Sequence, residues 1–106
     1  MYLRGKVQTA EFDDYGGLQL VVVDADVKKP TGGRPQYRCQ IARGWPGVDD
    51  VKVLRKQNAD ATMIKQLTAT IPVPQEDQVL DLIVVDMTGK GDFKKFVCEV
   101  AAQQVP

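Results

Sequence analysis

The sequence predicts a mainly β fold in a single domain over residues 1–106, a five-stranded small barrel with one short helix between strands 3 and 4. Three observations carry this. Five stretches are rich in β-branched and apolar residues, and the first and third alternate them with polar ones. Turn-forming clusters separate them, namely Asp13-Asp14-Tyr15-Gly16-Gly17, Gly44-Trp45-Pro46-Gly47 and Thr88-Gly89-Lys90-Gly91-Asp92. One segment near Ala61 to Leu67 keeps the spacing of an amphipathic helix. A chain of 106 residues is enough for one domain that buries roughly 60–68% of its unfolded surface without metals or cross-links. Its 43% hydrophobic and 26% charged residues are those of an ordinary globular protein.

Strand 1 is expected over Tyr2 to Ala10, where Leu3, Gly5, Val7 and Thr9 fall on one face and Tyr2, Arg4, Lys6 and Gln8 on the other. Strand 2 is the apolar run Leu18 to Val27, and after the loop Lys28 to Arg34 comes strand 3, Gln36 to Arg43. There Tyr37, Cys39 and Ile41 alternate with Gln36, Arg38 and Gln40, which makes Tyr37 a packed residue. Val51 to Arg55 fits a helix or a short strand equally well. Asn58 or Asp60 can cap the helix that carries Ala61, Met63, Ile64 and Leu67. Pro72 and Pro74 then keep the chain extended. Val79 to Met87 is strand 4 and Phe93 to Ala102 strand 5, with Phe96, Cys98, Val100 and Ala102 on one side; the tail Gln103 to Pro106 is expected to fray.

Three strands, a helix and a closing hairpin is the order of the OB-fold, a Greek-key barrel whose open face and loops bind oligonucleotides or oligosaccharides. An SH3-like barrel or an α+β roll is the competing architecture.

Charge is sorted along the chain although it sums to zero. Residues 1–45 carry seven bases and five acids, 46–69 four and three, and 70–106 three and six. The stretch Val27 to Val48 holds Lys28, Lys29, Arg34, Arg38 and Arg43 with no acid, and adds Tyr37 and Trp45. Cations interleaved with flat rings suit a single strand of nucleic acid, since phosphates take Lys and Arg while unstacked bases lie on an aromatic face. The run Thr31-Gly32-Gly33-Arg34-Pro35-Gln36-Tyr37, with the strand order and the long basic hairpin, resembles the small single-stranded-DNA-binding proteins of filamentous phages and mobile elements. The resemblance implies a homodimer that coats single strands cooperatively in DNA replication and has no catalytic activity. The helix near Ala61 to Leu67 and the acidic final third depart from that family.

The nucleic-acid-binding residues expected from this reading are Tyr2, Arg4 and Lys6 on strand 1, Lys28, Lys29 and Arg34 on the loop, Arg38 and Arg43 on strand 3, and Trp45. They converge if strand 1 pairs with strands 2 and 3. Trp45, between Gly44 and Pro46, is either a stacking ring or a plug over the barrel's end, and Tyr15 is a further aromatic candidate. The partner expected on this reading is single-stranded DNA, with RNA as the alternative.

Two other classes fit parts of the chain. Val21-Val22-Val23-Asp24-Ala25-Asp26 and Ile83-Val84-Val85-Asp86 are apolar strands ending in carboxylates, which can hold a divalent metal for phosphoryl transfer beside Lys90. That reading requires the three aspartates to meet. Thr88-Gly89-Lys90-Gly91 lacks the spacing of a phosphate-binding loop. A protein-binding module using a strand edge is the third class. The chain has no histidine, which removes the usual general base and zinc ligand. No enzyme activity, no cofactor and no metal site are therefore expected. Cys39 and Cys98 stand apart in apolar strands and read as buried free thiols. No apolar run reaches the length of a signal or a membrane span, so a soluble, cytoplasmic protein without membrane contact is expected.

Overall fold

A computed structural model describes residues 2–26, 36–90 and 94–101. Five strands close into a barrel: β1 (Tyr2–Phe12), β2 (Leu18–Asp24), β3 (Gln36–Arg43), β4 (Val79–Thr88) and β5 (Lys95–Val100). Around the barrel the order is β1-β2-β3-β5-β4, and β4 returns to β1. Every neighbouring pair is antiparallel except β3 and β5. Two helices, α1 (Val48–Lys56) and α2 (Ala61–Thr68), fill the crossover from β3 to β4, where the sequence predicts one. Among the described residues no helix is long and apolar enough to cross a membrane.

Alternation puts Leu3, Val7, Leu18, Leu20, Val22, Cys39, Ile41, Leu80, Leu82, Cys98 and Val100 inside. Each branched side chain that moves from water into this interior contributes about 1.5–3 kcal/mol, which is what closes the barrel. Strand 1 departs from the expected pattern at one point. Its ladder with β2 shifts register between Val7 and Thr9, so that Thr9 turns outward and Ala10 and Phe12 pack inward. A bulge inserts one extra residue and exchanges the two faces beyond it.

The β1–β2 turn is built by Asp13, whose carboxylate accepts from the backbone N–H of Tyr15 at 2.9 Å and of Gly17 at 2.8 Å. Gly16 (φ 82°) lies against Val51 of α1 and Ile64 of α2, with no room for a Cβ. The helices therefore dock on that turn. After β3, Gly44 (φ 93°) passes so close to the Val100 carbonyl that any side chain would overlap it. This close approach ties the end of β3 to the end of β5.

The undecided segment Val51–Arg55 is helical and belongs to α1. That helix begins at Gly47 without a side-chain cap, and its ends suit the helix dipole, with Asp49 and Asp50 in the first turn and Arg55 and Lys56 in the last. In α2, Asp60 caps as expected, accepting from the Met63 N–H at 2.9 Å.

Strand 2 ends at Asp24, short of the expected Val27, which lies outside the described residues, as do the loop residues Lys28, Lys29 and Arg34. Strand 5 begins at Lys95 and ends at Val100, inside the expected span.

Candidate nucleic-acid interface

The strand-1 pairing differs from what convergence requires. β1 lies between β2 and β4, not beside β3, so Arg4 and Lys6 stand opposite Asp81 and Val79 of β4. Arg4 Nη1 reaches Asp26 Oδ1 at 3.0 Å and its Nε reaches Asp81 Oδ1 at 3.5 Å. Lys6 pairs with Asp77 at 3.6 Å, and Arg43 with Glu99 at 3.4 Å. Pairs as exposed as these are worth about 0–1 kcal/mol, so a phosphate can displace the carboxylate at small cost. Tyr2, on the face of Arg4, is 57% exposed. Its phenol is pushed above the usual tyrosine range, first by desolvation and then by a hydrogen bond to the Asp81 carboxylate.

Trp45 is buried, and its indole N–H donates to the Pro72 carbonyl at 2.7 Å. It is the plug of the two alternatives, not a stacking ring. The indole belongs to the core cluster, with Pro72, Val73, Gln75 and Gln78 beside it. Tyr37 is half-buried and packs on Phe96, the ring centroids 5.7 Å apart. Tyr15 is the most exposed of the described aromatic residues, at 77%.

A different set of groups meets on the outer face of the sheet. Thr9 pairs with Val21, Val21 pairs with Arg38, and one step before the Cys39–Phe96 pair Arg38 stands beside Lys95. Four strands thus contribute one row, Thr9–Val21–Arg38–Lys95. The next row is Glu11–Gln19–Gln40–Val97. Thr9, Glu11, Gln19, Val21, Arg38 and Lys95 line a groove of about 230 Å³. Arg38, Lys95 and Glu11 form no ion pair among the described residues. Gln19 is held in place by its amide, whose N–H donates to Asp13 Oδ2 at 3.0 Å.

Of the expected site residues that are described, then, only Arg38 lines this groove, and it is joined by Lys95, Glu11 and Gln19, which the sequence did not single out. Their proximity is a matter of cross-strand register. Bases also collect on α1, where Lys52, Arg55 and Lys56 line a shallow basin. Lys52 is partly engaged there, its ammonium donating to the Ala42 carbonyl.

The aspartates of the metal reading have separate local tasks. Asp24 accepts from the backbone N–H of Asp26, Asp26 holds Arg4, and Asp86 accepts from the N–H of Met87. Among the described residues no three His, Cys, Asp or Glu side chains are grouped as metal ligands would be. Cys39 and Cys98 are free and buried. The neighbouring Cys98 thiol, together with burial, pushes the Cys39 thiol above the ordinary range, and its Sγ donates to the Tyr37 carbonyl at 4.0 Å.

No protein-family model matches this chain, and neither the curated proteins nor the solved structures contain a significant match.

Proposed function

We propose that this barrel is OB-like and that it is a non-catalytic binder of single-stranded nucleic acid, DNA in the first instance, acting as a homodimer. The observation that carries the reading is the groove on the outer face of β2 and β3, where Arg38 and Lys95 stand side by side with no ion-pair partner among the described residues. In OB barrels the face of strands 2 and 3, flanked by the loops between strands 1 and 2 and between strands 4 and 5, is where oligonucleotides lie. Here the first of those loops carries exposed Tyr15, a ring on which a base can stack for roughly 1–3 kcal/mol. The basic segment with Lys28, Lys29 and Arg34 joins β2 to β3 and so belongs to the same two strands. Arg4, Lys6 and Arg43 would then be secondary phosphate contacts, each first released from a carboxylate.

The test is titration of end-labelled oligo(dT) at rising salt. Affinity should fall with a log–log slope of roughly 0.7 for each phosphate neutralised on a single strand. Arg38→Ala combined with Lys95→Ala should reduce that slope by roughly 1.4, two phosphates' worth. Binding that ignores both salt and these substitutions removes the proposal.

A protein-binding role has one observation in its favour. Beyond Ile83, β4 has no β1 partner among the described residues, and Tyr2, Ile83, Val85 and Met87 are all exposed on or beside it. An open strand edge with apolar side chains accepts another strand. The homodimer uses this surface, so the two readings meet there.

A further inference from the structure

One feature of the groove runs against simple phosphate binding. Glu11 lies in it without a basic partner among the described residues, and a free carboxylate repels a polyanion. We infer that Glu11 reads a base, and that the groove is a subsite for one guanine nucleotide of a bound single strand. This inference rests on the nucleic-acid reading above.

The spacing suits one nucleotide. Strands lie about 4.8 Å apart and rise about 3.4 Å per residue, so Glu11 on β1 and Arg38 on β3, two strands away and one row along, have backbones about 12 Å apart. A phosphate on Arg38 and Lys95 leaves its base over the apolar floor made by Val21, with the base edge toward Glu11. An ionised carboxylate only accepts hydrogen bonds. Guanine presents two adjacent donors on its pairing edge, the ring N–H and the exocyclic amine, and one carboxylate takes both. Cytosine and adenine offer a single amine. Thymine offers one N–H between two carbonyl oxygens, which the carboxylate repels. Gln19, the other polar side chain of this row on β2, has its amide engaged by Asp13, which leaves the Glu11 carboxylate as the free acceptor.

Glu11 is exposed, so discrimination belongs at the low end of what a bidentate base contact gives, about fivefold. The experiment compares binding of a d(TG) alternating 12-mer and a dT 12-mer at low salt by fluorescence anisotropy, with the parent and with Glu11→Gln. The parent should bind the guanine-containing strand at least about fivefold more tightly. Glu11→Gln should abolish that preference, mainly by binding dT more tightly, while its melting temperature stays that of the parent. Equal affinities in the parent overturn the inference without recourse to any variant, and leave single-strand binding standing. An equal gain on both strands in Glu11→Gln also overturns it, since the carboxylate then acts only by repulsion. If the parent binds neither strand, the nucleic-acid reading fails first and the guanine subsite falls with it.

Discussion

Trp45 and Arg38 show how differently two residues of one basic, aromatic stretch are used. The indole is buried and hydrogen-bonded to Pro72, whereas the guanidinium is exposed beside Lys95. Trp45→Ala should therefore destabilise the fold by about 3–5 kcal/mol, the usual cost of deleting a buried ring. A denaturant melt checks this; a loss of less than about 1 kcal/mol would mean the indole is not the plug it is described to be. Replacing Arg38 and Lys95 should change stability by no more than about 0.5 kcal/mol each, as solvated surface groups do. Composition alone does not separate the two roles. Trp45 follows Gly44, whose φ of 93° against the Val100 carbonyl turns the chain over the barrel's end, and that turn decides the side on which the indole lies.

The elements were legible wherever a local signal fixes them. Asp60 announces α2 because an aspartate before an amphipathic run accepts from the backbone N–H groups left unpaired at a helix start. Asp60→Ala should lower stability by about 1 kcal/mol, and Asp60→Asn should restore most of it, both read from urea melts. No change in Asp60→Ala would show that tertiary packing of Ile64 holds the helix without its cap. By contrast α1 hides itself, since Gly47 supplies no side-chain cap and Val51-Lys52-Val53-Leu54 alternates like a strand. Packing of Val48 and Val51 overrides that local preference. The bulge between Val7 and Thr9 was not readable either, because it is a property of a strand pair and not of one strand. It is also what brings Thr9 into the groove. The sequence could present Arg38 as a candidate, but Lys95, Glu11 and Gln19 become its neighbours only through pairing across four strands.

At the scale of the whole molecule, closure is incomplete where β4 runs past β1. The barrel is sealed by the parallel pairing of β3 with β5 and by β4 on β1, yet of β4 only Val79 to Ile83 pairs with β1. Its final residues pair with β5 on one side, and the other side has no partner among the described residues. Exposed apolar residues are ordinary when scattered, but Ile83, Val85 and Met87 follow one another along this stretch, Ile83 on the outer face opposite Glu99 and, past the register shift between Val84 and Asp86, Met87 on the face of Phe96. Natural strand edges are commonly guarded by charge, and a lysine placed here restores such a guard. Sedimentation equilibrium should accordingly give twice the 11.7 kDa chain mass for the parent, and the chain mass for Val85→Lys combined with Met87→Lys. Both side chains are about half exposed, so the variant should melt as the parent monomer would. Loss of the dimer should also weaken coating of long single strands far more than binding of a 12-mer, because linked sites act at a raised effective concentration. A parent that sediments as a monomer at every concentration would remove the homodimer and return this edge to a partner of another kind.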